Sequence, residues 1–283
     1  MTGFTHIPVL LDKVLEILRP EQGGPYWDLT LGAGGHLRAY LERAPEGTEA
    51  YGLDGDPAAI ERTKHLPATL VHGDLAEVQE LGWPAPRAVL LDVGLSSPQV
   101  DDAERGFSYR LDGPLDMRMD PTRGWTAAEW LIRTSRQDLE KTIRELGEER
   151  FAGRIARVIK EQLPINTTSE LAEAVLDAVG RHRDRRHHPA RRTFQAIRIA
   201  VNQELERLEA ALEASISALA PGGRIVVLSY HSGEDRVVKN VFRSRERAGD
   251  VSRLMKKPLV CDPSEAHENP RARSVKLRAC EKR

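Results

Sequence analysis

The sequence predicts an open α/β sheet, parallel in its main part and interrupted by an all-helical insertion, on three observations. In the first two-fifths, short continuous apolar runs such as "RAVLLDVG" alternate with amphipathic stretches. Apolar runs without polar alternation belong to strands buried on both faces, as in a parallel sheet covered by helices. From about Arg105 to Glu209 only helical periods follow, apart from one loop, and the strand signal then returns at "PGGRIVVLSYHS". The sheet therefore resumes after the insertion.

Taken in order, "PYWDLTL", "EAYGLD", "ATLVHGD" and "RAVLLDVG" are the first four strands, with helices or helix-like connections after Gly34, Pro57 and Ala76. The insertion opens with the loop "RGFSYRLDGPLDMRMDPTRG". Helical periods follow in "AAEWLIRTS", "DLEKTIRELGEERFAGRIARVIKEQL", "SELAEAVLDAVG" and "RTFQAIRIAVNQELERLEAALEASISALA". After "PGGRIVVLSYHS" the segment "ARSVKLRAC" carries a weaker strand pattern, and the charged, turn-rich stretch from Arg247 to Asn269 reads as a surface excursion. The expected domains are 1–104 plus 210–283 for the sheet and 105–209 for the helical, substrate-recognising insertion.

Forty-two basic and 43 acidic residues in 283 leave a net charge of -1, so any surface for a polyanion must be local. Two cysteines, Cys261 and Cys280, without metal-ligand spacing, point to a reducing compartment and hence the cytoplasm. The N-terminal apolar pattern contains Asp12 and Glu16, which argues against a signal peptide or a membrane span.

"DLTLGAGGH", Asp28 to His36, crowds three glycines into four residues after the first strand. The dinucleotide pattern G-x-G-x-x-G fails at its third glycine, where Leu37 stands. The pattern D-x-G-x-G-x-G, which accommodates S-adenosylmethionine, departs only at Thr30. Asp54, ending the second strand, suits ribose hydroxyls. Asp74 with Leu75 suits the amino group and face of an adenine, and Asp92 ends the fourth strand. Each carboxylate alone reads equally as a helix cap or turn former; four of them at successive strand ends mark the place where ligands bind in open sheets.

With the block "LLDVGLSSPQVDDAERGFSYRLDGPLDMRMDP" (Leu90 to Pro121), the chain closely resembles the bacterial 16S ribosomal RNA (cytosine-N4)-methyltransferases. The resemblance extends over nearly the whole chain through "HIPVLLDKV", "LGEERFAGRIA", "HPARRTFQAIRIAVNQEL", "PGGRIVVLSYHSGEDRVVK" and "NPRARSVKLRA". It implies a class I, Rossmann-like, S-adenosylmethionine-dependent methyltransferase sheet with an inserted helical domain, acting on a decoding-centre cytidine of the small ribosomal subunit. Carried over by motif, the cofactor contacts are Gly34, Gly35, His36, Asp54, Leu75, Asp92 and Gln99. The family often has Phe at Leu75, and usually Phe and Leu at Tyr230 and Gly233. Whether the enzyme forms a homodimer is left open.

The amine of cytosine shares its lone pair with the ring, so it needs hydrogen-bond acceptors as it becomes tetrahedral. Asp92 is the leading candidate for that catalytic role, with His6 and His231 in support, and Asp116 with Arg118 reads as an ion pair ordering its loop. The run "RHRDRRHHPARR" holds six arginines, Arg181, Arg183, Arg185, Arg186, Arg191 and Arg192, against one acid, a pattern suited to RNA phosphates. Its histidines lack partner ligands at useful spacing, so no metal site is expected. Phe107 and Tyr109 are candidates to shape the pocket for the target base. The competing readings are a methyltransferase acting on another RNA or nucleobase amine, a nicotinamide oxidoreductase, and a non-catalytic RNA-binding ribosome-assembly factor.

Overall fold

The computed structural model describes residues 8–180 and 188–283. The chain forms two compact units, one built from residues up to Gly94 together with Leu205–Arg283, the other from Leu95–Glu204. The cuts thus fall ten and five residues before those placed from the sequence.

In the first unit, α1 (Leu11–Leu18), β1 (Tyr26–Asp28), α2 (Gly35–Arg43), β2 (Ala50–Asp54), α3 (Pro57–Thr63), β3 (Thr69–His72) and β4 (Ala88–Asp92) precede the insertion. The second unit carries α4 (Ser97–Asp101), α5 (Ala127–Arg133), α6 (Arg136–Glu145), α7 (Ala152–Glu161), α8 (Thr168–Val179) and α9 (Arg191–Asn202). The first unit then resumes with α10 (Glu204–Ala218, inside this unit from Leu205), β5 (Arg224–Ser229), α11 (Ser232–Ala248), β6 (Val251–Arg253), α12 (Pro263–Glu268) and β7 (Lys276–Lys282).

The sheet has seven strands among the described residues, in the order β3-β2-β1-β4-β5-β7-β6. β1 to β5 pair in parallel, while β7 runs antiparallel to both β5 and β6. Strand order reverses between β1 and β4, and such a switch point opens a crevice at the carboxyl ends of the strands. The apolar runs of β1, β4 and β5 are continuous because each of these strands faces two cores, whereas β3 has no buried residue. Tyr26, Leu90, Val226 and Leu228 point to one face with α1 and α2 residues such as Val14 and Leu37. Trp27, Val89, Leu91, Ile225 and Val227 point to the other, against Leu212 and Ile216 of α10 and Phe242 of α11. Alternation by two along a strand thus serves two apolar layers.

Three differences from the sequence reading have local causes. The stretch expected as a surface excursion contributes β6, which pairs with the edge of β7, and α12. The helical period from Asp138 to Leu163 divides into α6 and α7, with Glu148 turning the chain at φ 50°. The period beginning at Arg192 divides at Gln203, whose φ is 49°. Just before that break Asn202 turns inward, accepting from the Met119 N–H and donating to the Met117 carbonyl, each at 2.7 Å. One amide side chain thereby satisfies backbone of the long loop, whose Phe107, Leu115 and Met117 are buried with the helices of the second unit.

Candidate active site

The site grows from the turn between β1 and α2. Asp28 ends β1 almost fully buried, its Oδ1 accepting from the Thr30 N–H at 3.3 Å. Thr30 stands where the cofactor pattern has its first glycine, and its Oγ1 accepts from the Asp92 N–H at 2.6 Å. That bond ties the turn to the end of β4. The Gly32 N–H donates to Asp54 Oδ2 at 2.7 Å, and the Asp56 N–H to Asp54 Oδ1 at 2.8 Å. The carboxylate of β2 therefore organises the glycine turn.

Gly34 caps α2 in the left-handed region at φ 71°, a conformation L side chains seldom adopt. A Cβ at Gly34 would sit 2.6 Å from Leu66 Cδ1, and one at Gly35 would sit 2.6 Å from Pro8 Cγ. These two positions need glycine for the packing of the protein itself, which differs from a bare backbone reserved for a ligand.

Two side chains approach Asp92. His36, buried in the first turn of α2, has Nε2 3.1 Å from the Val9 carbonyl, so that nitrogen carries the proton, and its Nδ1 lies 3.8 Å from Asp92 Oδ2. The Tyr230 hydroxyl donates to Asp92 Oδ1 at 2.7 Å. Electrostatics reflect the crowding of acids. Burial pushes the Asp28 carboxyl up to about 7, opposed by the Thr30 N–H and reinforced by the charges of Asp92 and Asp54. Burial likewise pushes Asp54 up to about 6 against the two N–H groups it accepts.

The other expected residues have definite local bonds. Asp74 caps the 3-10 turn Leu75–Leu81 by accepting from the Ala76 N–H at 3.0 Å, and its Oδ2 is 3.2 Å from Arg207. Leu75 packs partly buried beside the α10 face of the sheet. Gln99 lies in the second unit, where its Oε1 accepts from the Ser96 N–H at 3.0 Å and completes a capping box on α4. His231 is the N-cap of α11: Nδ1 accepts from the Gly233 and Glu234 N–H groups, and Nε2 is 3.0 Å from Glu234 Oε1 without the alignment of a hydrogen bond. Asp116 and Arg118 form a two-pronged pair at 2.8 Å within their loop.

Phe107 needs correction as a pocket residue: at 7% exposure it belongs to the apolar core of the second unit. Tyr109 stacks on His188 with ring centroids 4.9 Å apart and meets Phe194 edge-on. Arg191 and Arg192 open α9, both exposed, and Arg192 donates to the Glu148 carbonyl. Arg181, Arg183, Arg185, Arg186 and His6 lie outside the described residues. Sequence reasoning missed Thr30 and Arg207 as organising residues. Thr30 was visible as the departure from the glycine pattern, whereas nothing in the sequence links Arg207 to Asp74.

Parallel strands in the order β3-β2-β1-β4-β5, an antiparallel β7 inserted before β6, and acidic residues ending β1, β2 and β4 define a class I methyltransferase fold. The chain belongs to the MraW methylase family, whose model matches residues 3–283. It is 45% identical over 312 residues to the ribosomal RNA small subunit methyltransferase H of Trichlorobacter lovleyi, covering 100% of this chain and 99% of that protein. It is also 45% identical over 289 residues to the protein of the same name from Synechococcus elongatus, covering 99% and 96%. Among solved structures, an rRNA methylase from Streptococcus thermophilus is similar at a TM-score of 0.45 and 11% identity, covering 96% of this chain and 93% of that one.

Proposed function

We propose that the protein transfers a methyl group from S-adenosylmethionine to the exocyclic N4 amine of a decoding-centre cytidine in the 16S RNA of the small ribosomal subunit. The observation carrying this reading is Asp92, at the carboxyl end of β4 beside the switch point, with Oδ1 held by Tyr230 and Oδ2 turned toward His36.

The residues of the crevice suit the donor. S-adenosylmethionine supplies, when bound, a methyl group already activated on a positively charged sulfur. Asp28 and Asp54, whose ionised forms burial disfavours, gain from a cationic ligand nearby. Asp54 accepts ribose hydroxyls in addition to its two backbone N–H groups, and Gly34, Gly35 and His36 wall the cofactor at the start of α2. Asp74, by capping its turn and pairing with Arg207, fixes the backbone from which Leu75 offers an aliphatic face to the adenine.

The chain's own catalytic work is alignment and proton handling. Asp92 accepts a hydrogen bond from the N4 amine, frees its lone pair as the nitrogen becomes tetrahedral, and takes up the proton released after transfer. A stacked cytidine has to leave its neighbours to reach Asp92, at a cost of roughly a few kcal/mol.

Arg191 and Arg192, together with the arginines that precede them, bind RNA phosphates in this reading. Replacing both by alanine is expected to raise the KM for RNA several-fold. The log–log salt slope should become shallower by about 0.7 to 0.9 for each phosphate that is no longer neutralised. Cofactor affinity should stay unchanged, and an unaltered salt slope would remove these two residues from the RNA surface.

On this reading the enzyme works in the cytoplasm with 16S RNA as its partner. No described helix is long and apolar enough to cross a membrane. A homodimer would appear as a doubled mass in sedimentation. The deciding experiment is mass analysis of 16S nucleosides from a deletion strain complemented with wild type or with Asp92→Ala. N4-methylated cytidine should vanish in the deletion, return with wild type and stay absent with the variant; an unaltered nucleoside in the deletion strain overturns the assignment.

A further inference from the structure

Tyr230 follows the last strand of the parallel set, and the register of that strand decides what its side chain reaches. Leu228 of β5 pairs with Asp92 of β4, and the Val93 N–H donates to the Leu228 carbonyl at 3.1 Å. Two residues beyond Leu228, Tyr230 therefore stands at the carboxyl edge of the sheet beside the end of β4. Its backbone is fixed from α11, because its N–H donates to Glu234 Oε2 at 2.7 Å and Glu234 is only 2% exposed. Its ring packs against the core shared by α1 and α2. Gly94, at φ 106°, leaves the neighbouring backbone without a side chain; a Cβ there would sit 3.6 Å from the Tyr230 ring. Backbone and ring are both held, so the direction of the hydroxyl toward Asp92 Oδ1, at 2.7 Å, is imposed by the fold rather than chosen by a free side chain.

We infer that Tyr230 is a positioning residue for methyl transfer, its hydroxyl fixing the rotation of the Asp92 carboxylate that receives the target amine. That bond restricts turning of the carboxylate about its Cβ–Cγ axis and so narrows the directions in which its oxygens are presented to the amine. Burial, with the charge of Asp92 next in importance, pushes the phenol well above its ordinary range, so it remains a donor at every working pH. This inference rests on the role given to Asp92 under the proposed function.

The test is a cycle of Tyr230→Phe, Asp92→Asn and the double variant. It follows single-turnover transfer of a labelled methyl group to 16S RNA, with separate measurement of S-adenosylmethionine and RNA affinity and of thermal unfolding. Phenylalanine fills the same ring volume, so the fold should be retained. Loss of one hydrogen bond to a charged group should lower the transfer rate of Tyr230→Phe about tenfold. Both affinities should stay within about twofold of wild type, as expected for a bond that acts on the chemical step. In the Asp92→Asn background the second substitution should add little, because residues acting through one another are not additive. A wild-type rate in Tyr230→Phe, a loss of cofactor affinity or melting temperature matching the loss of rate, or the same tenfold loss in both backgrounds would each overturn the positioning role. Normal turnover by Asp92→Asn alone would instead remove the reading on which the inference stands.

Discussion

Asp92→Asn, saturated with S-adenosylmethionine and given 16S RNA, should transfer methyl groups at least about a hundredfold more slowly than wild type, in line with the usual worth of a positioned proton acceptor. The substitution preserves shape. An asparagine keeps an Oδ1 to accept from Tyr230, 2.7 Å away, and its backbone N–H still donates to Thr30. It removes the charge and replaces one acceptor oxygen by an NH₂ group, which cannot take a proton from the amine. The effect should therefore fall on the rate of the chemical step, with cofactor affinity changing much less. Calorimetric titration beside single-turnover kinetics separates the two. Near-normal turnover at saturating cofactor would confine Asp92 to cofactor binding.

Asp28→Asn should make the ligand-free protein more stable at pH 8 and flatten its stability between pH 4 and 7. The folded chain raises the Asp28 carboxyl from 3.8 to about 7 and Asp54 from 3.8 to about 6, burial being the main cause in both. A carboxyl raised in this way holds its proton more tightly when folded than when unfolded. Its contribution is fully present below about pH 4 and is lost as pH rises through the folded value. For Asp28 the loss by pH 8 is on the order of 4 kcal/mol. Asparagine removes this dependence while retaining an oxygen for the Thr30 N–H, now 3.3 Å from Oδ1. Urea unfolding of both proteins at pH 5 and pH 8 measures the difference; an equal change with pH in the two would show that Asp28 does not hold its proton in the folded state. A cationic ligand favours the ionised carboxyls, so affinity for S-adenosylmethionine should rise with pH across the same window. S-adenosylhomocysteine, which lacks the sulfonium charge, should show a weaker rise.

Much of this molecule is legible without coordinates because its signals are local. The strands "YWD", "AYGLD" and "AVLLD" stand out as apolar runs that each end in an acid, since a parallel sheet buries both faces and turns its carboxyl ends to a ligand. The helical insertion is visible in its uninterrupted periodicity, although its breaks at Glu148 and Gln203 are not. Those depend on left-handed turns and, beside the second, on the amide of Asn202 reaching loop backbone more than 80 residues away in sequence. β6 was hidden in a polar segment because three residues at the sheet edge need pairing partners more than apolar pattern.

Fold class and the set of carboxylates at or just past the strand ends are written in the amino-acid string, because they follow from apolar period and from residue types within short windows. What each carboxylate does emerges from the folded arrangement alone. Asp54 braces the glycine turn, Asp74 caps the turn that follows it and pairs with Arg207, and Asp92 is bound by a phenol 138 residues further along the chain. Hydrogen-bond partners depend on sheet register and strand order, which bring distant residues within about 3 Å of one another and leave no mark on the local pattern of either segment.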